Sequence, residues 1–178
     1  MNVATIKKRD IANGIGVRVS LFVSGCTHHC KGCFNAEAWD FSYGAPYTEE
    51  TEAEILRLLA PDYISGLSLL GGEPFEPQNQ RVLIKLLRQV KALYPEKTVW
   101  CYSGYTLENE LLCESRARCE CTDEMLSYID VLVDGRYEEE KRNISLLFRG
   151  SENQRLIDLP STLKSGEIIL WESKSRAK

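Results

Sequence analysis

Cys26, Cys30 and Cys33 fall within eight residues in a C-x3-C-x2-C spacing. Thiolates this close together in one loop can reach a common metal centre. Structural zinc normally takes four ligands, often as two separated Cys-x-x-Cys pairs. No second pair of matching spacing exists here. His28 and His29 are candidate fourth ligands, but both lie inside the cysteine loop, where geometry is tight. Iron–sulfur clusters are held by cysteine thiolates, typically four for a four-iron cluster. Three thiolates leave one iron without a protein ligand, and an open coordination site marks a reactive centre rather than a structural one. Buried reduced thiols are the plain reading of a single cysteine. Three in a polar loop that also holds Gly25 and Gly32 favour a metal centre, with the cluster ahead of zinc.

A second unusual stretch is Gly71-Gly72-Glu73-Pro74. Two glycines let backbone approach a ligand closely. Glu73 offers a carboxylate and Pro74 stiffens the exit. Taken alone, the stretch reads as a tight turn. Ser103-Gly104-Tyr105 and Asp134-Gly135 read equally as turn chemistry or as walls of the same site.

Positioning these loops requires a scaffold. Val17, Val19, Leu21 and Val23 alternate and predict a strand over 17–23, with an irregular loop from Ser24 to about Trp39. Thr51 and Glu54 match a capping box, so a helix is expected to start near there. Leu67 to Leu70 reads as a buried strand. Val82, Leu83, Leu86, Leu87, Val90 and Leu93 repeat at helical spacing. Thr98 to Tyr102 and Val131 to Val133 read as strands, with one or two helices between Leu107 and Tyr128. Strand and helix alternate, which predicts an α/β protein with a largely parallel sheet. Functional loops of such sheets gather at the carboxyl ends of the strands. All four unusual loops follow strands, so they are expected to meet on one edge. Leu146-Leu147-Phe148 and Ile168-Ile169-Leu170-Trp171 are expected to pack on the sheet.

The 178 residues suit one domain. A net charge of −4 argues against a general nucleic-acid binder. No apolar run approaches the ~20 residues that span a bilayer, and the N-terminus lacks the apolar stretch of a secretory signal. A cytoplasmic location is expected, where seven cysteines are free thiols or metal ligands rather than a disulfide framework. Cys101 reads as a core residue. Cys113, Cys119 and Cys121 sit in a charged stretch and read as free thiols, with an auxiliary metal site as the rival.

C-x3-C-x2-C followed by an aromatic, here Phe34, resembles the signature of the radical S-adenosylmethionine superfamily. Asn13–Arg18, Leu21–Cys30, Gly66–Pro74, Pro77-Gln78-Asn79, Ile129–Gly135, Phe148–Ser151 and Asn153-Gln154 are more specific. In order along nearly the whole chain, they resemble the activating proteins of anaerobic (class III) ribonucleoside-triphosphate reductases. Ile15 departs from the Pro of that pattern, and the cysteine-rich stretch Cys113 to Cys121 is an insert.

The resemblance implies that residues 1–178 form a single radical S-adenosylmethionine domain, an incomplete (β/α) barrel with a curled, largely parallel sheet. It implies that Cys26, Cys30 and Cys33 hold a [4Fe-4S] cluster. It places Gly71, Gly72, Glu73 and Pro74 at the methionine amino group of S-adenosyl-L-methionine, and Gly32, Cys33 and Phe34 against the adenosine. No catalytic residue is expected beyond the cluster and cofactor. The implied reaction is reductive cleavage of S-adenosylmethionine to a 5′-deoxyadenosyl radical, which generates a glycyl radical on the partner reductase. Reducing a sulfonium needs the low end of the roughly −700 to +450 mV that clusters span, so a donor such as a flavodoxin is implied. Another small radical S-adenosylmethionine enzyme, or a non-catalytic zinc or iron–sulfur module, is the alternative.

Overall fold

The computed structural model describes residues 1–172. Seven strands form one open, mixed sheet. They are β1 (Asn2–Asp10), β2 (Val17–Val23), β3 (Ala45–Pro46), β4 (Ile64–Gly71), β5 (Thr98–Tyr102), β6 (Val131–Asp134) and β7 (Arg155–Asp158). Their spatial order is β3-β1-β2-β4-β5-β6-β7. The four strands expected from the sequence, β2, β4, β5 and β6, are parallel neighbours. β1, β3 and β7 add antiparallel pairings at the two edges. The sheet is therefore parallel only at its centre, which corrects the expectation of a largely parallel one. The edge strands escape the sequence patterns because they bury little. Of β1 only Val3 and Asp10 are buried, and β7 is four residues long.

Helices α1 (Glu49–Leu59), α2 (Pro77–Leu93), α3 (Thr122–Ser127) and α4 (Leu159–Ser165) accompany the sheet, with a π-helical turn at Leu107–Leu111. α1 starts one turn earlier than expected. Its cap is Thr48, whose hydroxyl accepts from Thr51 N at 3.3 Å while Thr51 Oγ1 accepts from Thr48 N. Thr51 is thus the third helical residue, not the cap. α2 begins at Pro77, where a missing N–H costs nothing because the first turn has no intrahelical partner for it.

Both faces of the central strands are covered. Val19, Leu21, Leu67, Leu69, Val99, Cys101 and Leu132 pack in one core with Ile55, Leu59, Leu83, Leu87 and Val90 of α1 and α2. The residues between them point to the opposite face, where Trp100, Val131 and Val133 pack with Phe148 and Trp171. Of the two C-terminal apolar clusters, Phe148, Ile168 and Trp171 reach the sheet, whereas Leu147 and Leu170 are exposed. Arg18 and Ser68 are fully buried on β2 and β4, at positions where a half-solvated strand would hold exposed polar groups.

Candidate metal and cofactor site

A cavity of about 640 Å³ opens where the parallel strands end. That volume lies within the roughly 300–1,000 Å³ typical of ligand and cofactor sites. Cys26, Cys30 and Cys33 line it from the loop after β2, and Gly71, Gly72 and Glu73 from the end of β4. Ser103 and Gly104 after β5 and Gly135 after β6 complete the wall. All four strand-end loops therefore converge. Gly32 and Phe34 also line the cavity, and Phe34 is 85% exposed. Pro74 is buried behind the wall and does not line it. Cys101 is buried in the core, as expected, and Cys113, Cys119 and Cys121 lie away from the cavity.

The cysteine loop is tied to the Gly71–Glu73 loop through the backbone. Gly72 N donates to Val23 O at 2.6 Å, and Glu73 N to Gly25 O at 2.8 Å. The two chains run so close that a Cβ on Gly72 would lie 2.5 Å from Gly25 O and 2.9 Å from Ala38 O. This is the physical need for glycine at position 72. Glu76 adds a side-chain tie. Its Oε1 accepts from Thr27 N at 2.9 Å and from Thr27 Oγ1 at 2.6 Å. Asn79 Nδ2 donates to both Ser24 O and Glu73 O.

Glu73 is 1% exposed, and its carboxylate accepts four hydrogen bonds. Oε1 takes Phe75 N at 2.9 Å and Ser103 Oγ at 3.0 Å. Oε2 takes Gly104 N at 2.7 Å and His28 Nε2 at 2.9 Å. A carboxylate offers about four lone-pair sites, so protein donors fill this one. Since a carboxylate only accepts, the contact puts the His28 proton on Nε2. His28 Nδ1 is left buried and unpartnered. The His28 ring meets Tyr105 edge-on at 4.3 Å between centroids.

Burial pushes the Cys26 thiol up to about 12, and the Glu73 charge adds to this. Burial also raises Cys30. Thiolates here are costly unless a cation takes the place of the proton, which metal binding does. Three soft sulfur donors on the wall of a cavity of cofactor size suit an iron–sulfur cluster. Among the described residues no three His, Cys, Asp or Glu side chains close around one position as ligands of a single ion.

Residues 12–157 match the family model described as a 4Fe-4S single cluster domain. An "Anaerobic ribonucleoside-triphosphate reductase-activating protein" of Pasteurella multocida (strain Pm70) is 45% identical over 156 residues, covering 86% of this chain and 95% of that protein. The chain belongs to the anaerobic ribonucleoside-triphosphate reductase-activating protein family. Activating proteins of Enterobacteria phage T4 and Escherichia coli (strain K12) are 42% and 41% identical, over 88% and 82% of this chain and 93% and 90% of theirs.

In this member of the activating-protein family, sequence reading missed His28, Glu76, Asn79 and Gln80 as organisers of the site. A signal existed for the last two. Asn79 and Gln80 are polar residues in register with Leu83, Leu86 and Leu87 on the buried face of an amphipathic helix. A polar group there must find buried partners. Asp134 is buried as a structural acceptor for Leu107 N and Arg155, so only Gly135 of that pair reaches the cavity. Arg149 and Gly150 line the cavity in an ordered turn, where Gln154 Oε1 accepts from Gly150 N at 2.9 Å and Ser151 N at 3.2 Å. Among the described residues, no helix is long and apolar enough to cross a membrane.

Proposed function

We propose that the chain activates an anaerobic ribonucleoside-triphosphate reductase as a radical S-adenosylmethionine enzyme, on an open sheet that is the incomplete (β/α) barrel of that superfamily. The observation that carries this reading is the sharing of one cavity by Cys26, Cys30 and Cys33 and by Gly71, Gly72 and Glu73. A [4Fe-4S] cluster held by Cys26, Cys30 and Cys33, with S-adenosylmethionine bound beside it, would supply the one-electron chemistry needed to generate a glycyl radical on the reductase.

The protein's own residues hold, orient and shield. Cys26, Cys30 and Cys33 are the cluster ligands. Gly71 and Gly72 keep the β4 end bare of side chains, so that the amino-acid end of the cofactor meets backbone. Glu73 acts by fixing Ser103, Gly104 and His28 around it and by placing a negative charge beside a cationic ligand. The exposed Phe34 ring beside Gly32 and Cys33 offers a stacking face for adenine. A low-potential donor such as a flavodoxin supplies the electron.

The test is anaerobic reconstitution with iron and sulfide, reduction, and addition of S-adenosylmethionine and a candidate reductase. Formation of 5′-deoxyadenosine and a glycyl-radical doublet in electron paramagnetic resonance are expected. Cofactor cleavage without a doublet on any anaerobic ribonucleotide reductase would redirect the assignment to another substrate. No cleavage by a reduced, fully loaded cluster would end the enzyme reading.

A further inference from the structure

The chain between β6 and β7 carries a small hairpin whose tip forms part of the cavity rim. Arg142 and Ser151 pair as an antiparallel bridge. Glu152 N donates to Lys141 O at 3.0 Å, and Asn143 N to Gly150 O at 3.2 Å. These bonds close the loop 143–150. Inside it, Leu146 N donates to Asn143 O at 3.3 Å and Ser145 N to Asn143 Oδ1 at 2.9 Å. Phe148 has φ 59°, a left-handed conformation that a bulky residue keeps only where its surroundings hold it. Its ring packs edge-on against Trp100, 5.2 Å between centroids, and sits in one cluster with Trp171. With Phe148 anchored on the sheet, its neighbours turn elsewhere. Leu146 lines the cavity, Ile144 stands at the mouth and is 88% exposed, and Leu147 is 69% exposed.

A single exposed aliphatic is ordinary. Here two share one hydrogen-bonded turn beside the cavity, and the charges around them are already engaged. Lys141 pairs with Glu138 at 2.7 Å, Arg142 faces Glu139 at 3.9 Å, and Arg149 donates back to Gln154 O. Ile144-Ser145-Leu146-Leu147-Phe148 carries no charge. Such a tip suits a neutral, apolar protein surface rather than a polyanion, which is bound through free Lys and Arg.

We propose that Ile144 and Leu147 form the apolar contact on which the reductase seats the segment carrying its glycine. The inference rests on the proposed activating function and adds to it a docking surface and the partner chemistry that fits it. The reason is steric. A hydrogen atom is abstracted only at contact distance, so the glycine must enter the cavity. The chain on either side of it must then cross the rim, where Ile144 and Leu147 stand. Aliphatic side chains flanking the glycine are the matching surface, because apolar area leaves water on both sides of the contact. Losing the two side chains should act on the complex, chiefly through faster dissociation, and leave cofactor cleavage untouched.

The reconstituted protein is sedimented anaerobically, with S-adenosylmethionine and without reductant, against the reductase that yields the glycyl-radical doublet. The Ile144→Ser/Leu147→Ser double variant is expected to bind at least tenfold more weakly than the parent. The reductase concentration for half-maximal doublet should rise with it, while 5′-deoxyadenosine formation without reductase stays at the parental rate. Leu93→Ser, exposed on α2 and outside the cavity, should bind as the parent does. In the unaltered proteins, amide exchange of the peptide spanning 143–150 should slow when the reductase is added, so a poorly folding variant does not remove the test. Parental affinity of the double variant, equal weakening by Leu93→Ser, or unchanged exchange over 143–150 would each overturn the docking surface, and a parent that still gives the doublet would leave the proposed function standing. Loss of self-association in the double variant with reductase affinity unchanged would assign the tip to a contact between copies instead. A parent that gives no doublet with any candidate reductase ends both readings.

Discussion

His28 Nε2 donates to Glu73 Oε2 at 2.9 Å, with both side chains no more than 2% exposed. The contact joins residues 45 apart and fastens the cysteine loop to the end of β4. A hydrogen bond to a charged group contributes about 1.5–3 kcal/mol, more where loss leaves a partner buried. His28→Ala is therefore expected to lower unfolding stability by roughly 2 kcal/mol, read from the urea midpoint of the cluster-free protein. A midpoint unchanged from the parent would show that the contact fastens nothing.

Glu73→Gln keeps the shape and removes the charge. An amide oxygen serves half of the four donors now facing the carboxylate, and the amide N–H₂ confronts the rest. We expect a loss of about 1–3 kcal/mol in stability from buried donors left unpaired. S-adenosylmethionine binding to the reconstituted variant, followed by equilibrium dialysis, should weaken at least tenfold. Wild-type affinity would remove Glu73 from the cofactor site.

Cys30→Ala should bind substoichiometric iron and sulfide and cleave no S-adenosylmethionine. Cys113→Ser, away from the cavity, should match the parent in both. Metal analysis and 5′-deoxyadenosine assay of the pair separate a ligand role from a general thiol effect. Full cleavage by Cys30→Ala would sink the ligand assignment.

Gly72→Ala places a methyl carbon 2.5 Å from Gly25 O, a backbone atom that cannot swing away. Either the cysteine loop or the β4 end must move. The expected outcome is a lower thermal midpoint together with a shifted visible spectrum of the reconstituted cluster. Retention of both at parental values would contradict the close approach.

Arg18→Lys tests the floor of the sheet. The guanidinium donates to Ser68 Oγ, Ile15 O, Leu67 O and both oxygens of Thr98, at 2.8–3.3 Å. It lies 5.5 Å from the Trp100 ring centroid. An ammonium has three donors and no planar fork, so acceptors on β4 and β5 are left short. A loss of about 2–4 kcal/mol is expected from urea unfolding. A difference within error would mean that water replaces the lost donors.

The parallel centre of the sheet was legible because buried strands carry apolar runs and α2 carries a 3.6-residue repeat. The cysteine loop and the Gly71–Pro74 loop were legible because they end such runs. β1 was not, since Lys7, Lys8 and Arg9 mask a strand whose role is pairing rather than burial. Thr48 was passed over as a cap because Thr51 and Glu54 show the same spacing three residues on. Arg18 gave no warning of burial. An arginine in an alternating strand reads as solvent-facing until a second layer covers that face.

By itself the sequence determined the donor set. Three thiols in one short loop, two glycines and a carboxylate at the end of another run, and the order of strands and helices are all local patterns. Only the tertiary structure decided that these loops share a cavity, that Glu73 gives its four acceptor sites to the protein, and that His28 is the latch between them. The reason is the range of the forces involved. Periodicity and turn chemistry act over a few residues. The partners of a buried carboxylate are chosen by whichever donors the packed sheet brings within about 3 Å, however distant in the chain.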